Sequence, residues 1–267
     1  MRLTRPNPLR IYTYIIALLL YVPVIVMIAY SFNDSKFIGE WRGFTLKWYK
    51  VALGDNAFLE TLYNSLTVAV SSAIVSIIIA LPAALASRKD RLSLGLVEPL
   101  IYPPIVIPEI AEAVALMLFL ISLGFPLGWL SVFIGHTAFN VAYAYITLAP
   151  SIGASRSLEE AARTLGAGPL TVFTKIILPL SMPGIIAALM LTFMLSFTDF
   201  IKTLFTTGPG FQTLPLLIWN RARRPGLTEY SSQNALNALA SILIALSLSI
   251  ALAYTAYMVK RLGRGNA

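Results

Sequence analysis

The chain has 267 residues, of which 57% are hydrophobic and only 12% charged, and its mean hydropathy is +0.77. Soluble domains carry roughly a quarter charged residues, so the composition argues for an integral membrane protein. The formal net charge is +8 and there is no cysteine. The basic residues lie between apolar runs rather than in one patch, which argues for the lipid bilayer as partner and against nucleic acid. The missing cysteines exclude disulfide scaffolds, cysteine zinc sites and thiol chemistry.

Length alone allows one domain or two. Six apolar runs, near 11–31, 63–86, 96–123, 129–149, 184–205 and 235–259, approach or exceed the roughly 20 residues needed to cross a bilayer. The expected fold is all-α: a single polytopic domain over 1–267 with six transmembrane helices. The first run reads as an uncleaved helix rather than a leader, being longer than a signal-peptide core. After it comes "FNDSKFIGEWRGFTLKWYKVALGDNAFLETL", whose Trp41, Trp48 and Tyr49 suit the membrane–water interface.

The third run holds "YPPIVIPEIAEA", Tyr102 to Ala113. Pro103, Pro104 and Pro108 have no backbone N–H to give a continuous helix. The freed carbonyls must face protein or a water-filled cavity. A hinge or interruption is expected here, followed by a restarted helix with Glu109 and Glu112 three apart on one face. Glu109 lies about 20 Å along the third run and Asp199 about 22 Å along the fifth, at roughly 1.5 Å per residue. These spans run in one direction, so the acids reach similar depth. Carboxylates within a bilayer normally face a cavity or a partner. One reading makes Glu109, Glu112 and Asp199 the lining of a negative translocation path for a cationic solute. Two others stay open: Lys202, three residues after Asp199, neutralises it, or Glu109 simply caps the helix that Pro108 starts. His136, in an apolar run, reads as a packed residue.

The connection 151–183, "SIGASRSLEEAARTLGAGPLTVFTKIILPLSMP", has its own helix grammar. Ser157 stands three before Glu160, a capping-box spacing. Leu158, Ala161, Ala162 and Leu165 fall along one side of the short helix, and Gly166 and Gly168 are terminators. "LTVFTKIILPL" then starts a second amphipathic segment, with Pro179 and Pro183 ahead of the fifth span. The first helix either docks into a partner or lies on the membrane surface.

Lysine and arginine placement orients the chain. Arg2, Arg5, Arg10, Arg88, Lys89, Arg91, Arg156, Arg163, Lys175, Lys260, Arg261 and Arg264 fall on one side if the spans alternate. Lys36, Arg42, Lys47, Lys50, Arg221, Arg223 and Arg224 fall on the other. Both termini are therefore expected in the cytoplasm of a plasma (inner) membrane protein. The "NRARRPG" cluster runs against the rule and is either an external docking surface or a sign that the basic-residue count does not orient the chain this way.

"EAARTLGAGPLTVFTKIILP", Glu160 to Pro179, resembles the signature of permease subunits of binding-protein-dependent ABC importers, through Glu160, Ala161, Ala162, Gly166, Ile176, Leu178 and Pro179. "SFNDSKF…WRGFTLKWY", "SFTDF" and "TTGPGFQTLPLLIW" resemble the smaller spermidine/putrescine permeases. The resemblance implies a cytoplasmic coupling helix between the fourth and fifth spans, with Ser157, Glu159, Glu160, Ala161, Ala162, Leu165 and Gly166 at the ATPase contact. It also implies two ATPase subunits, a second homologous permease subunit and an extracytoplasmic substrate-binding protein. No phosphate-cradling loop of the Walker type occurs. ATP and magnesium are thus expected on the ATPase subunits, with no cofactor, metal or catalytic residue on this chain. Polyamine import is the expected function. Ferric iron, sugar or anion import and an ion-coupled secondary transporter are the alternatives; the latter class also uses broken helices.

Overall fold

The computed structural model describes residues 8–35, 39–87, 91–153, 155–224 and 232–264. Arg2, Arg5, Lys36, Arg88 and Lys89, used above for orientation, lie outside them. In chain order the helices are α1 Pro8–Tyr30, α2 Lys47–Leu53, α3 Asn56–Ser87, α4 Arg91–Ile101, α5 Pro103–Val106, α6 Glu109–Ser122, α7 Trp129–Gly153, α8 Arg156–Thr164, α9 Pro169–Val172, α10 Leu178–Phe197, α11 Ile201–Thr206, α12 Leu214–Ala222 and α13 Gln233–Arg264. Among the described residues no β-strand forms, and Asn33 and Phe44 make one isolated antiparallel bridge.

Among the described residues, five helical stretches are long and apolar enough to cross a membrane: Tyr12–Tyr30, Asn56–Ser87, Trp129–Gly153, Pro169–Phe197 and Gln233–Ala256. The third expected span is not one helix. It is divided into α4, α5 and α6, with breaks at Tyr102 and at Ile107–Pro108. Ile107 is extended, with φ −72° and ψ 136°, as the residue before a proline tends to be. Pro108 itself stands at the N-cap of α6.

The fifth apolar helix also differs from expectation. It begins at Pro169 rather than near Gly184 and ends at Phe197. Pro179 and Pro183 lie inside it instead of preceding it. A π-helical turn over Phe173–Ile177 joins α9 to α10 just before Pro179. Such turns and local readjustment accommodate prolines in membrane helices.

The chain divides into two compact units. One comprises Met1–Leu59 with Leu217–Leu246. Its anchor is Trp48 of α2, which is 0% exposed and packs with Ala235 and Ala238 of α13. The Trp48 indole N–H donates to the Asn33 carbonyl at 2.8 Å, and Asn234 Nδ2 donates to the carbonyls of Asn33 (3.2 Å) and Ser35 (2.5 Å). Trp48 is therefore a core residue and not an interfacial one; Trp41 remains exposed. Arg221 of α12 meets Asp55 at 2.5 Å, both largely buried, so one member of the arginine cluster is committed inside this unit. Arg223 lies over the Trp219 ring at 5.9 Å, and Arg223 and Arg224 are exposed.

The second unit comprises Glu60–Leu216 with Ser247–Ala267. Its core joins Ile77, Ala80 and Ala84 of α3, Ile101 of α4, Ala142, Ala144, Tyr145, Leu148 and Ile152 of α7, and Ala188 of α10. The small residues let helix backbones approach closely, the usual basis of packing where lipid removes the hydrophobic drive. A close approach of another kind is set by Gly208: a Cβ there would overlap the Leu127 carbonyl.

Candidate functional site

Within the second unit a line of polar side chains crosses the apolar core. It starts at Asn140 of α7, whose Nδ2 donates to the Thr192 carbonyl at 3.2 Å and to Ser72 Oγ of α3 at 3.4 Å. Ser72 Oγ donates to Ser196 Oγ of α10 at 3.1 Å. Ser196 Oγ in turn meets His136 Nδ1 at 2.6 Å, and His136 Nε2 meets Thr203 Oγ1 of α11 at 3.0 Å. Buried polar groups need such partners, since an unsatisfied one costs about 1–3 kcal/mol.

The line ends in a charged cluster. Asp199 sits in the break between α10 and α11, where its Oδ1 accepts the Thr203 backbone N–H at 3.1 Å and lies 3.4 Å from His136 Nε2. Its Oδ2 pairs with Lys202 Nζ at 2.9 Å. Lys202 Nζ also pairs with Glu109 Oε1 at the start of α6. The same ammonium lies 3.5 Å from the centre of the Phe139 ring, on the face where the ring quadrupole attracts a cation. Glu112 follows one turn along α6, and its buried Oε2 has no hydrogen-bond partner.

The structure thus brings Glu109 and Asp199 to one lysine, and the pairing reading of Asp199 is the one the geometry supports. The Asp199 and Lys202 side chains are 3% and 4% exposed, whereas Glu109 is 43% exposed. Glu109 is the member that reaches open space. Two members were not in the expected site: Lys202, read only as a neutralising partner, and His136, read as packing. His136 is indeed buried, but both ring nitrogens are engaged. A lone histidine among apolar residues gives no local sign of which polar groups it will meet.

The second candidate region is α8. Its C-terminus is closed by Gly166, at φ +85°, with Ala167 N–H donating to the Ala162 carbonyl at 3.0 Å. That left-handed conformation favours glycine. At the N-terminus the expected Ser157–Glu160 capping box does not form. The helix starts at Arg156, so Ser155 holds the cap position and Ser157 lies in the first turn. Buried Ser155 donates through Oγ to Glu159 Oε1 at 2.6 Å, and Glu160 pairs with Arg156 at 3.2 Å on the surface. Glu159 therefore faces its own chain, while Glu160, Leu158, Ala161 and Leu165 are exposed. Ala162 is half-buried. Pro103 and Pro104 form the first turn of α5.

Residues 72–264 match the family described as binding-protein-dependent transport system inner membrane component. The chain belongs to that permease family. The permease is 35% identical over 236 residues to the spermidine/putrescine transport system permease protein PotC of Escherichia coli, covering 88% of this chain and 87% of PotC. It is 34% identical to the Escherichia coli putrescine transport system permease protein PotI, covering 84% of this chain and 81% of PotI. Among solved structures, a bacterial alginate ABC transporter in complex with an alginate-bound periplasmic protein matches with TM-score 0.70 at 15% identity, over 95% of this chain and 93% of that one. The MetNI methionine ABC transporter matches with TM-score 0.62 at 17% identity, over 77% and 98%. At these identities the structural likeness speaks for the fold. The permease is thus a multi-pass membrane subunit of an ABC importer.

Proposed function

We propose that the permease has six membrane passages, the third being the broken series α4–α5–α6, and forms half of a polyamine translocation path. At roughly 1.5 Å per residue α6 reaches about 21 Å, short of the roughly 30 Å hydrocarbon core. Residues 91–122 together are ample. Both termini lie in the cytoplasm on the basic-residue count, with α8 on the same side.

On this reading α8 is the coupling helix. Its exposed Leu158, Ala161 and Leu165, held on a helix fastened by Ser155–Glu159 and closed at Gly166, form the face that enters a cleft on a cytoplasmic ATPase subunit. Two such subunits, carrying ATP and magnesium, a second permease subunit and an external binding protein complete the importer. Closure of the ATPase pair shifts α8 and alters the equilibrium between inward- and outward-facing states.

The observation that carries the substrate class is the 35% identity to PotC over most of both chains. The cluster of Glu109, Glu112 and Asp199, three carboxylates around the one ammonium of Lys202, agrees with it. A ligand panel against the cognate binding protein, followed by ATPase stimulation in the reconstituted complex, tests the proposal. Stabilisation of the binding protein by spermidine or putrescine and stimulation by the loaded form are expected. Stabilisation by another solute alone overturns the polyamine assignment, and transport without any ATPase subunit overturns the importer plan.

A further inference from the structure

We propose that Lys202 is a specificity-determining residue: a built-in ammonium that sets the charge of the acid cluster to suit a divalent amine. This rests on the amine-import reading above and goes beyond it. The observations are geometric. Lys202 Nζ is enclosed by Asp199 at 2.9 Å, by Glu109 and by the face of Phe139 at 3.5 Å. Carboxylates and an aromatic face around one ammonium are the chemistry that recognises a protonated primary amine. The chain thus supplies its own amine to a site of that kind.

Lys202 is held from below by Asp199, and neither is accessible. Glu109 is the exposed partner, and Glu112 one turn on has a buried oxygen without a hydrogen bond. The open side of the cluster therefore presents Glu109 to whatever passes, with Lys202 behind it and the half-buried Glu112 one turn along α6. The three carboxylates of Glu109, Glu112 and Asp199 against the one ammonium of Lys202 leave an excess of two negatives. That complements a diamine. Without Lys202 the count is three negatives, the complement of a triamine. Specificity is a difference between two binding free energies, so one buried charge suffices to reorder a pair of ligands.

The test uses the full importer in proteoliposomes, with binding protein saturated by putrescine or by spermidine, so that the ratio of the two maximal rates reports the permease step. Lys202→Met is expected to raise the spermidine-to-putrescine rate ratio by about fivefold or more. Combining it with Glu109→Gln, or with Asp199→Asn, restores the formal charge and is expected to return the ratio toward the wild-type value. A purely structural lysine gives no such charge rescue. Asp199→Asn alone lowers the negative count and should shift the ratio the other way, which keeps the test open if Lys202→Met does not fold. An unchanged ratio in variants that still transport overturns the assignment and leaves the amine-import reading intact. An ATPase response to the loaded binding protein with neither amine crossing overturns both.

Discussion

Leu165 gives the sharpest test of whether α8 docks on an ATPase subunit as proposed. It is 89% exposed at the C-terminal end of α8, so nothing in its own chain is stabilised by its side chain. If α8 enters an ATPase cleft, that side chain is buried on assembly. Leu165→Ala removes three carbons from the contact, roughly 2 kcal/mol at about 0.8 kcal/mol per buried methylene. At 1.4 kcal/mol per decade this is about a thirtyfold weaker Kd for the ATPase subunit. Binding of the purified ATPase subunit to permease in nanodiscs measures it directly, and a thermal scan of the permease alone supplies the control. The expected outcome is weakened binding with an unchanged Tm. Unchanged affinity, or a permease that melts early, would mean that Leu165 faces lipid or its own chain, and the coupling assignment of α8 would fall.

Trp48→Ala should cost about 3–5 kcal/mol of stability by leaving a cavity, whereas Trp48→Phe should cost only about 1 kcal/mol, because Asn234 still donates to the Asn33 carbonyl; equal losses in denaturant titrations contradict the packing account. Gly208→Ala should cost about 1–3 kcal/mol, since its Cβ would overlap the Leu127 carbonyl, and a neutral effect on thermal stability refutes that contact. Asp55→Ala breaks a largely buried pair with Arg221 and removes the Ala57 amide acceptor at the start of α3. A loss of about 3–5 kcal/mol is expected, and a variant as stable as the parent would place Arg221 in solvent.

What could be read from the sequence follows from how local each cause is. Three prolines within six residues break a helix whatever surrounds them, so the division of the third apolar run was legible at Pro103, Pro104 and Pro108. Gly166 likewise marked the end of α8. The start of α8 was not, because Ser155 and Ser157 both precede a glutamate at helical spacing. Only the fold decides which serine is buried. Pro179 and Pro183 misled for the opposite reason: a π-turn and neighbouring helices absorb them. Trp48 looked interfacial because composition cannot separate an aromatic at a membrane surface from one sealed by residues far along the chain. The acids at 109 and 199 were placed at similar depth by counting rise, yet the lysine shared between them depends on how α6 meets α11.

The bonds from Asn234 to Asn33 and Ser35 bear on how the protein is made. Those carbonyls leave the ribosome roughly two hundred residues ahead of the side chain that binds them, as the separations of 201 and 199 require. Until α13 is made, the segment around Trp48 waits without the helix that seals it. A nascent chain arrested before α13 therefore leaves Trp48 without Ala235 and Ala238 against it, and the Asn33 and Ser35 carbonyls without the Asn234 amide.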